Sequence, residues 1–381
     1  MRVVEIFWRF FLLGLVSFGG PAAHIGYFHT LFVQKLRWLD DSAYARLIAL
    51  SQFLPGPGSS QIGFAIGLQR AGIIGAIAAF IGFTAPSFTL MYTLATLEFE
   101  STDIFTGVIH GLKLVAVVVV ADAVLSMYRT FCVSTASLSL ALLSAVLLWL
   151  YPSLWVQMGV LIVAALIGAS VLKGEPKPLV TSHTKPALFP LILFMVLFVG
   201  LPFLANTSVW IGLFNTFYQS GSLVFGGGHV VLPLLQQSLG DTISTERFLF
   251  GYASAQAAPG PMFTFATFLG ADLSPASPLL GALIATLAIF LPGFLLVLGL
   301  YNTWESLSSH PRIAGAAAGI NAAVVGLLVA ALYNPVFNSA VFSPIDMAIV
   351  LMGFFLLRVV KIPIIGVIAV ISIISVSRNL L

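Results

Sequence analysis

Four places in the sequence put glycine and proline inside apolar runs: Ser17-Phe18-Gly19-Gly20-Pro21, Gln52-Phe53-Leu54-Pro55-Gly56-Pro57, Val224-Phe225-Gly226-Gly227-Gly228 and Gln256-Ala257-Ala258-Pro259-Gly260-Pro261. Proline suits a helix start, where its missing N–H costs nothing, and glycine permits the turn before it. A helix beginning at such a break presents unpaired backbone N–H groups at the positive end of its dipole, and those groups bind anions. Gly58-Ser59-Ser60, followed by Gln61, adds hydroxyl and amide donors to the second break; Met262-Phe263-Thr264 adds fewer to the fourth. The candidate anion-binding residues are therefore Gly19, Gly20, Pro55, Gly56, Pro57, Ser59, Ser60 and Gln61, and then Gly227, Gly228, Pro259, Gly260, Pro261 and Thr264. Breaks of this kind also let apolar helices kink and pack, but four at matched positions favour a site.

Lys113 lies near the centre of an apolar run over 105–127. A cation there costs on the order of 3 kcal/mol in a bilayer, so a counter-charge must accompany it: an anionic substrate or a carboxylate. Asp122, the other charge deep in the run, falls on the opposite helix face about 13 Å along the axis, which makes a simple pair with Lys113 unfavourable. In the second half the place of Lys113 is taken by neutral Asn321. His24 and His229 each follow a glycine break. Each could satisfy backbone carbonyls there or carry a proton, since imidazole titrates near neutral pH. The single Cys132 excludes internal disulfides, no Cys/His spacing suggests a metal, and nothing asks for a cofactor.

These residues need elements to hold them, and the composition says which solvent those elements face. Of 381 residues, 59% are apolar and 8% charged, too few polar groups to cover a water-soluble fold. The surroundings must be lipid. The net charge of +3 gives no basic face for nucleic acid. The breaks repeat at offsets of 204 to 207 residues, and two further landmarks follow: Ala85-Pro86-Ser87-Phe88 with Leu291-Pro292-Gly293-Phe294, and Gly111-Leu112-Lys113 with Gly319-Ile320-Asn321. The chain is thus a duplication, with 1–172 as one half, 173–209 as a polar linker and connecting helix, and 210–381 as the other half. Each half begins with two pairs of arms of roughly 12 to 16 residues, shorter than the ~20 of a full span, which read as broken or re-entrant hairpins. Longer runs follow at 74–97, 105–127, 135–151 and 154–172, and again at 276–301, 313–335, 341–357 and 362–377, with an extra one at 186–205. The N-terminal run reads as the first membrane segment, because no small-residue cleavage site precedes a polar chain.

Lys and Arg concentrate on the cytoplasmic side of membrane proteins. A cytoplasmic N-terminus places Lys35, Arg37, Arg46, Arg70, Arg129, Lys173, Lys177 and Lys185 inside, with Glu98, Glu100 and Asp103 outside. The extra span then inverts the second half, so Arg312, Arg358 and Lys361 fall inside while Asp241, Glu246, Arg247 and Asp272 fall outside, and the C-terminus is periplasmic. Thirteen is the compromise span count. The fold class expected is an all-α integral membrane protein of two inverted repeats. Such repeats with interrupted short helices describe a secondary transporter whose site lies near mid-membrane. An anion channel would use the same broken helices, whereas no nucleophile–base or metal-ligand cluster in the spans supports an intramembrane enzyme.

Phe18-Gly19-Gly20-Pro21-Ala22-Ala23-His24 and Phe53-Leu54-Pro55-Gly56-Pro57-Gly58-Ser59-Ser60-Gln61, with Arg37-Trp38-Leu39-Asp40 between them, resemble the motifs of the chromate transporter (CHR) family. The likeness extends to Phe225-Gly226-Gly227-Gly228-His229 and Ala258-Pro259-Gly260-Pro261, and so to the two-domain form of the family. The resemblance implies proton-motive-force-driven export of chromate from the bacterial cytoplasm across the inner membrane, with sulfate as a chemical analogue. It leaves a homodimer open.

Overall fold

The computed structural model describes residues 2–97, 103–172, 185–225, 228–304 and 310–380. Gly226, Gly227, Glu98, Glu100, Lys173 and Lys177 lie outside the described residues. Among those described there are sixteen α-helices and no strand. In the first half these are α1 (Arg2–Val16), α2 (Gly20–Phe28, continued by a π-turn to Lys35), α3 (Asp41–Phe53), α4 (Gly58–Thr96), α5 (Asp103–Phe131), α6 (Thr135–Leu150) and α7 (Leu154–Val171). The connecting helix is α8 (Leu188–Leu204). The second half holds α9 (Val209–Leu223), α10 (Val231–Leu239), α11 (Thr245–Ala257), α12 (Phe265–Asp272), α13 (Pro278–Leu300), α14 (Pro311–Ala331), α15 (Pro344–Phe355) and α16 (Ile364–Leu380).

Each glycine–proline break is the tip of a hairpin whose arms fold back on each other. Phe10 of α1 stacks on Phe32 at 4.8 Å and meets Phe28 edge-on, so α1 and α2 run antiparallel about Gly19-Gly20. Ser220 of α9 lies 3.4 Å from Ser238 of α10, and Phe248 of α11 lies 5.0 Å from Phe265 of α12. Both α3 and α11 start on a side-chain cap in matching positions: Asp40 accepts from the Ala43 amide and Ser244 from the Arg247 amide. The Asp40 carboxyl sits below the usual carboxylate range because that cap bond favours its charged form.

Helix α4 is itself two arms. Ala71 and Gly72, the latter at φ 65°, leave helical geometry, and Gly67 packs directly against Gly75 across the turn. The second half repeats the device with Gly270 against Gly281 between α12 and α13. No side chain fits at either crossing.

The long arm of α4, about 24 residues and so about 36 Å, serves as a ruler. At its Ala71-Gly72 end the first-half hairpin returns; at its far end the Ala95 carbonyl accepts from Arg247 at the base of α11. Between the two, Phe83 and Ser87 receive the tip at Gly260. Helix α13 does the same in reverse: Gly281 meets Gly270 at one end, Gly293 receives Gly56 part-way, and Tyr301 and Trp304 at the other end touch Gln69 and Phe53. Hairpins of the two halves therefore approach from opposite ends of these helices and meet tip to tip.

The remaining helices interlock. Helix α14 of the second half packs on α6 and α7 of the first, and α5 of the first packs on α15 and α16 of the second. Among the described residues, five helices are long and apolar enough to cross a membrane, α8 among them with none of its span buried in the protein. A lipid-facing exterior is the physical consequence, and the chain is an all-α membrane protein.

Candidate functional site

Two hydrogen bonds tie the halves together at the tips. The Gly56 amide donates to the Val224 carbonyl at 2.7 Å, and the Gly260 amide donates to the Ser17 carbonyl at 2.9 Å. These are the same contact seen twice, because Gly56 matches Gly260 and Ser17 matches Val224 in the repeat. Both glycines need positive φ, 118° and 94°. A Cβ at Gly56 would stand 3.0 Å from Gly293 Cα, and one at Gly260 would stand 2.9 Å from Ser87 Oγ. Tight approach and left-handed backbone together explain why glycine occupies each tip. Gly19 and Gly20, at φ 98° and 73°, turn the α1 tip in the same way.

The first-half tip holds several polar groups that have no protein partner, three hydroxyls and one amide oxygen. Pro57 is the N-cap of α4 and offers no side-chain cap. The Gln61 amide takes the Pro57 carbonyl, so the Gly58, Ser59 and Ser60 amides precede the first helical bond. Ser60 Oγ is buried without a partner, as are Ser17 Oγ, Thr84 Oγ1 and Gln61 Oε1. The Gln61 side-chain amide closes the turn by donating to the Pro55 carbonyl at 2.8 Å and reaching the Gly293 carbonyl at 3.4 Å. His24 is fully buried and ties three parts of the site together: Nε2–H donates to the Ser17 carbonyl at 3.1 Å, which leaves Nδ1 to accept from the Ser59 hydroxyl at 3.1 Å. That carbonyl also accepts from Gly260.

The second-half tip is closed. A 3₁₀ turn over Met262–Thr264 precedes α12, and the Thr264 amide and hydroxyl both bond the Pro261 carbonyl. His229, next to Gly228, bonds no backbone carbonyl among the described residues; its Nδ1 lies 3.1 Å from the Tyr252 hydroxyl and 3.2 Å from the Gln256 side-chain amide. The two tips are thus chemically unequal, as the poorer donor content of Met262-Phe263-Thr264 suggests. Phe64 stacks on Phe294 at 4.3 Å and Phe290 packs beside it, so aromatic rings flank the tips and exclude water.

The structure places Lys113 elsewhere. Its ammonium is 2.6 Å from Glu246, near the base of α11 and about 16 Å along that helix from its tip. The counter-charge is thus a carboxylate from the other half, which a search along α5 alone does not find. Asp122 pairs with Arg358 at 3.2 Å, leaving Lys113 to Glu246. Asn321 is buried with an unpaired carbonyl oxygen, and is likewise outside the tip contacts above. Ser17, Thr84, Ser87, Val224 and Gly293 join the site although sequence reasoning did not single them out. The signal existed, since Pro86-Ser87 and Pro292-Gly293 are a repeat landmark and Ser17 opens the first break.

Comparison with known proteins adds the family context. The model of the chromate transporter family matches the chain twice, over residues 4–169 and 211–376. An uncharacterized transporter of Methanocaldococcus jannaschii is 26% identical over 86% of this chain and 83% of its own. A chromate transport protein of Pseudomonas aeruginosa is 28% identical, covering 86% and 80%, and a probable chromate transport protein of Synechococcus elongatus is 28% identical, covering 84% and 81%. No solved structure matches the chain.

Proposed function

The chain belongs to the chromate transporter family, and from that premise we propose that it exports chromate from the cytoplasm, holding the dianion where the four hairpin tips converge. The observation that carries this reading is the pair of cross-half bonds, Gly56 to Val224 and Gly260 to Ser17, beside a helix start whose first amides precede its first helical bond and a buried Ser60 hydroxyl with no partner. Amide and hydroxyl donors aimed into a water-poor site suit a tetrahedral oxyanion. Sulfate has the same shape and charge and meets the same donors.

Tips joined across the halves also suit alternating access, in which one set of hairpins rocks against the other about the bound ion. The proposed orientation puts the N-terminus and the Arg46–Arg70 end of the molecule in the cytoplasm and the C-terminus in the periplasm. The two halves are then inverted repeats in the inner membrane, and the proton motive force drives export, with His24 as the proton carrier. The concentration of Lys35, Arg37, Arg46 and Arg70 at the Ala71-Gly72 end, against Arg247 at the other, supports that assignment. The test is flux of labelled chromate and sulfate into inverted vesicles. Uptake stimulated by an imposed proton gradient is expected; current reversing at the anion's Nernst potential without proton coupling would assign a channel instead.

A further inference from the structure

The Gln61 side chain is satisfied at one end only. Its nitrogen lies 2.8 Å from the Pro55 carbonyl and 3.4 Å from the Gly293 carbonyl. Two acceptors at that end identify it as the NH2 of the amide, so the other end is the oxygen. That oxygen, Oε1, is buried and meets no donor. Leaving a buried acceptor unpaired costs free energy, and a group that carries a proton would remove the cost.

Two unpaired hydroxyls share its side of α4. Ser60 and Gln61 each precede Phe64 by one helical turn, and Phe64 stacks on Phe294 of α13 while Gln61 reaches Gly293. On the returning arm of α4, Phe80 packs on Phe290 at 5.1 Å and on Phe294 at 4.9 Å, and Thr84 lies one turn beyond it towards the tip. The arms are antiparallel with Gly67 against Gly75, a register that sets Thr84 level with Gly58. Spacing and register therefore bring Ser60 Oγ, Gln61 Oε1 and Thr84 Oγ1 to the side of α4 that faces α13, all buried and all without a partner, one turn above a floor of phenyl rings.

The hairpin does not need these groups in order to close. At the matching positions of the second half stand Thr264, whose hydroxyl bonds the Pro261 carbonyl, and the rings of Phe265 and Phe290. The same turn forms there with no polar atom to spare, so the unpaired set in the first half points to a ligand.

The chemistry of that set is mixed. The hydroxyls, and the amides of Gly58, Ser59 and Ser60, can donate to the oxygens of an anion, whereas an amide oxygen can only accept. A fully ionised tetrahedral anion offers lone pairs alone, and Gln61 Oε1 would stay unpaired beside it. A singly protonated one offers its O–H to Oε1 and its other oxygens to the donors. Chromate takes up a proton near neutral pH; sulfate does so only in strong acid.

We infer that the tip binds chromate together with one proton, as hydrogen chromate, with Gln61 Oε1 accepting the O–H of the ion and the Ser60 and Thr84 hydroxyls donating to its other oxygens. The inference rests on the transport reading above and deepens it: the donors treat chromate and sulfate alike, and the one acceptor separates them. A site built to pair a substrate O–H rejects the analogue that lacks it far more strongly than an apolar pocket rejects a misfit. The ion takes its proton from water before it enters. The titratable side chains at the tips are His24, held by Ser17 and Ser59, and His229, beside Tyr252 and Gln256. Residues 55–69, 73–91 and α13 contribute none.

Equilibrium dialysis of labelled chromate against the purified protein tests this, on a Cys132→Ser background because chromate oxidises thiols. An ion that binds in only one of its forms binds more weakly as that form becomes scarce. The half-saturating concentration of total chromate should therefore rise about tenfold or more between pH 6 and pH 8. Sulfate, added as a competitor, is the internal control, since a titrating protein group would move both ions alike. Its inhibition constant should stay within twofold over that range and exceed the half-saturating chromate concentration at pH 6 by about a hundredfold or more. Gln61→Met removes the acceptor, and should flatten the chromate slope and bring the two ions to within about threefold of each other. Chromate binding that is flat with pH, a slope that sulfate shares, or undiminished rejection of sulfate by Gln61→Met overturns the inference. The wild-type slopes decide it even where Gln61→Met does not fold. Protein that neither binds nor moves chromate at any pH overturns the transport reading, and this inference falls with it.

Discussion

Gly56 and Val224 are joined by a 2.7 Å hydrogen bond between hairpin tips that belong to different halves of the chain. Its duplicate joins Gly260 to Ser17. The centre of the molecule is therefore built from contacts that neither half can make alone, and a change in the relation of the halves must break or remake them.

Substitution at the tips follows directly. Gly260→Ala imposes a left-handed backbone on a residue with a Cβ, a strain of about 1–2 kcal/mol, and drives that carbon to 2.9 Å from Ser87 Oγ. Chromate uptake is expected to fall at least tenfold with the protein still inserted. Adding Ser87→Gly, which copies the Gly293 that faces Gly56, should restore part of the flux. A double variant no better than Gly260→Ala would show that the collision is not the cause.

His24 links Ser17, Ser59 and, through the shared carbonyl, Gly260. If it carries the coupling proton, His24→Gln keeps hydrogen-bonding capacity but loses titration. Downhill uptake should persist while stimulation by a proton gradient disappears. Full stimulation in this variant would move coupling to another group.

Lys113 is buried while its partner Glu246 is 70% exposed. Glu246→Gln leaves a buried ammonium without its carboxylate and is expected to lower stability by about 1 kcal/mol, the exposure of Glu246 keeping the cost modest. Lys113→Met, which leaves only an exposed carboxylate, should cost less. Thermal unfolding in detergent separates the two, and the reverse order would contradict this account of the pair.

Much of this architecture could be read from the residues. Gly19-Gly20-Pro21 and Pro55-Gly56-Pro57 announce turns inside apolar runs, and the run over 278–300 is visible as an uninterrupted apolar stretch. What could not be read was which tip meets which. The partner of Gly56 is 168 residues away, and no local pattern encodes that choice. The same limit hid Glu246 from Lys113, because a search along one helix cannot find a carboxylate supplied by another. Helix α4 is folded in two at Ala71-Gly72, and the sequence divides it at the same place, since Gln69-Arg70 close the hairpin arm and the longer apolar run begins at 74.

Orientation has its own check. Reporter fusions within 173–185 and after Leu381 are expected to read opposite sides of the membrane, the first cytoplasmic. Matching readings would rule out the inverted arrangement.

The claim that the anion sits at the first-half tip is tested most directly by comparing Ser60→Ala with Thr264→Ala in the concentration dependence of chromate uptake. Ser60 Oγ is buried without a partner and free to meet the ion, whereas Thr264 Oγ1 already donates to the Pro261 carbonyl at 2.9 Å. A hydrogen bond to a charged group contributes about 1.5–3 kcal/mol. Ser60→Ala should therefore raise the half-saturating concentration about tenfold or more, and Thr264→Ala should leave it within twofold. Equal effects, or a larger effect at Thr264, would contradict the assignment.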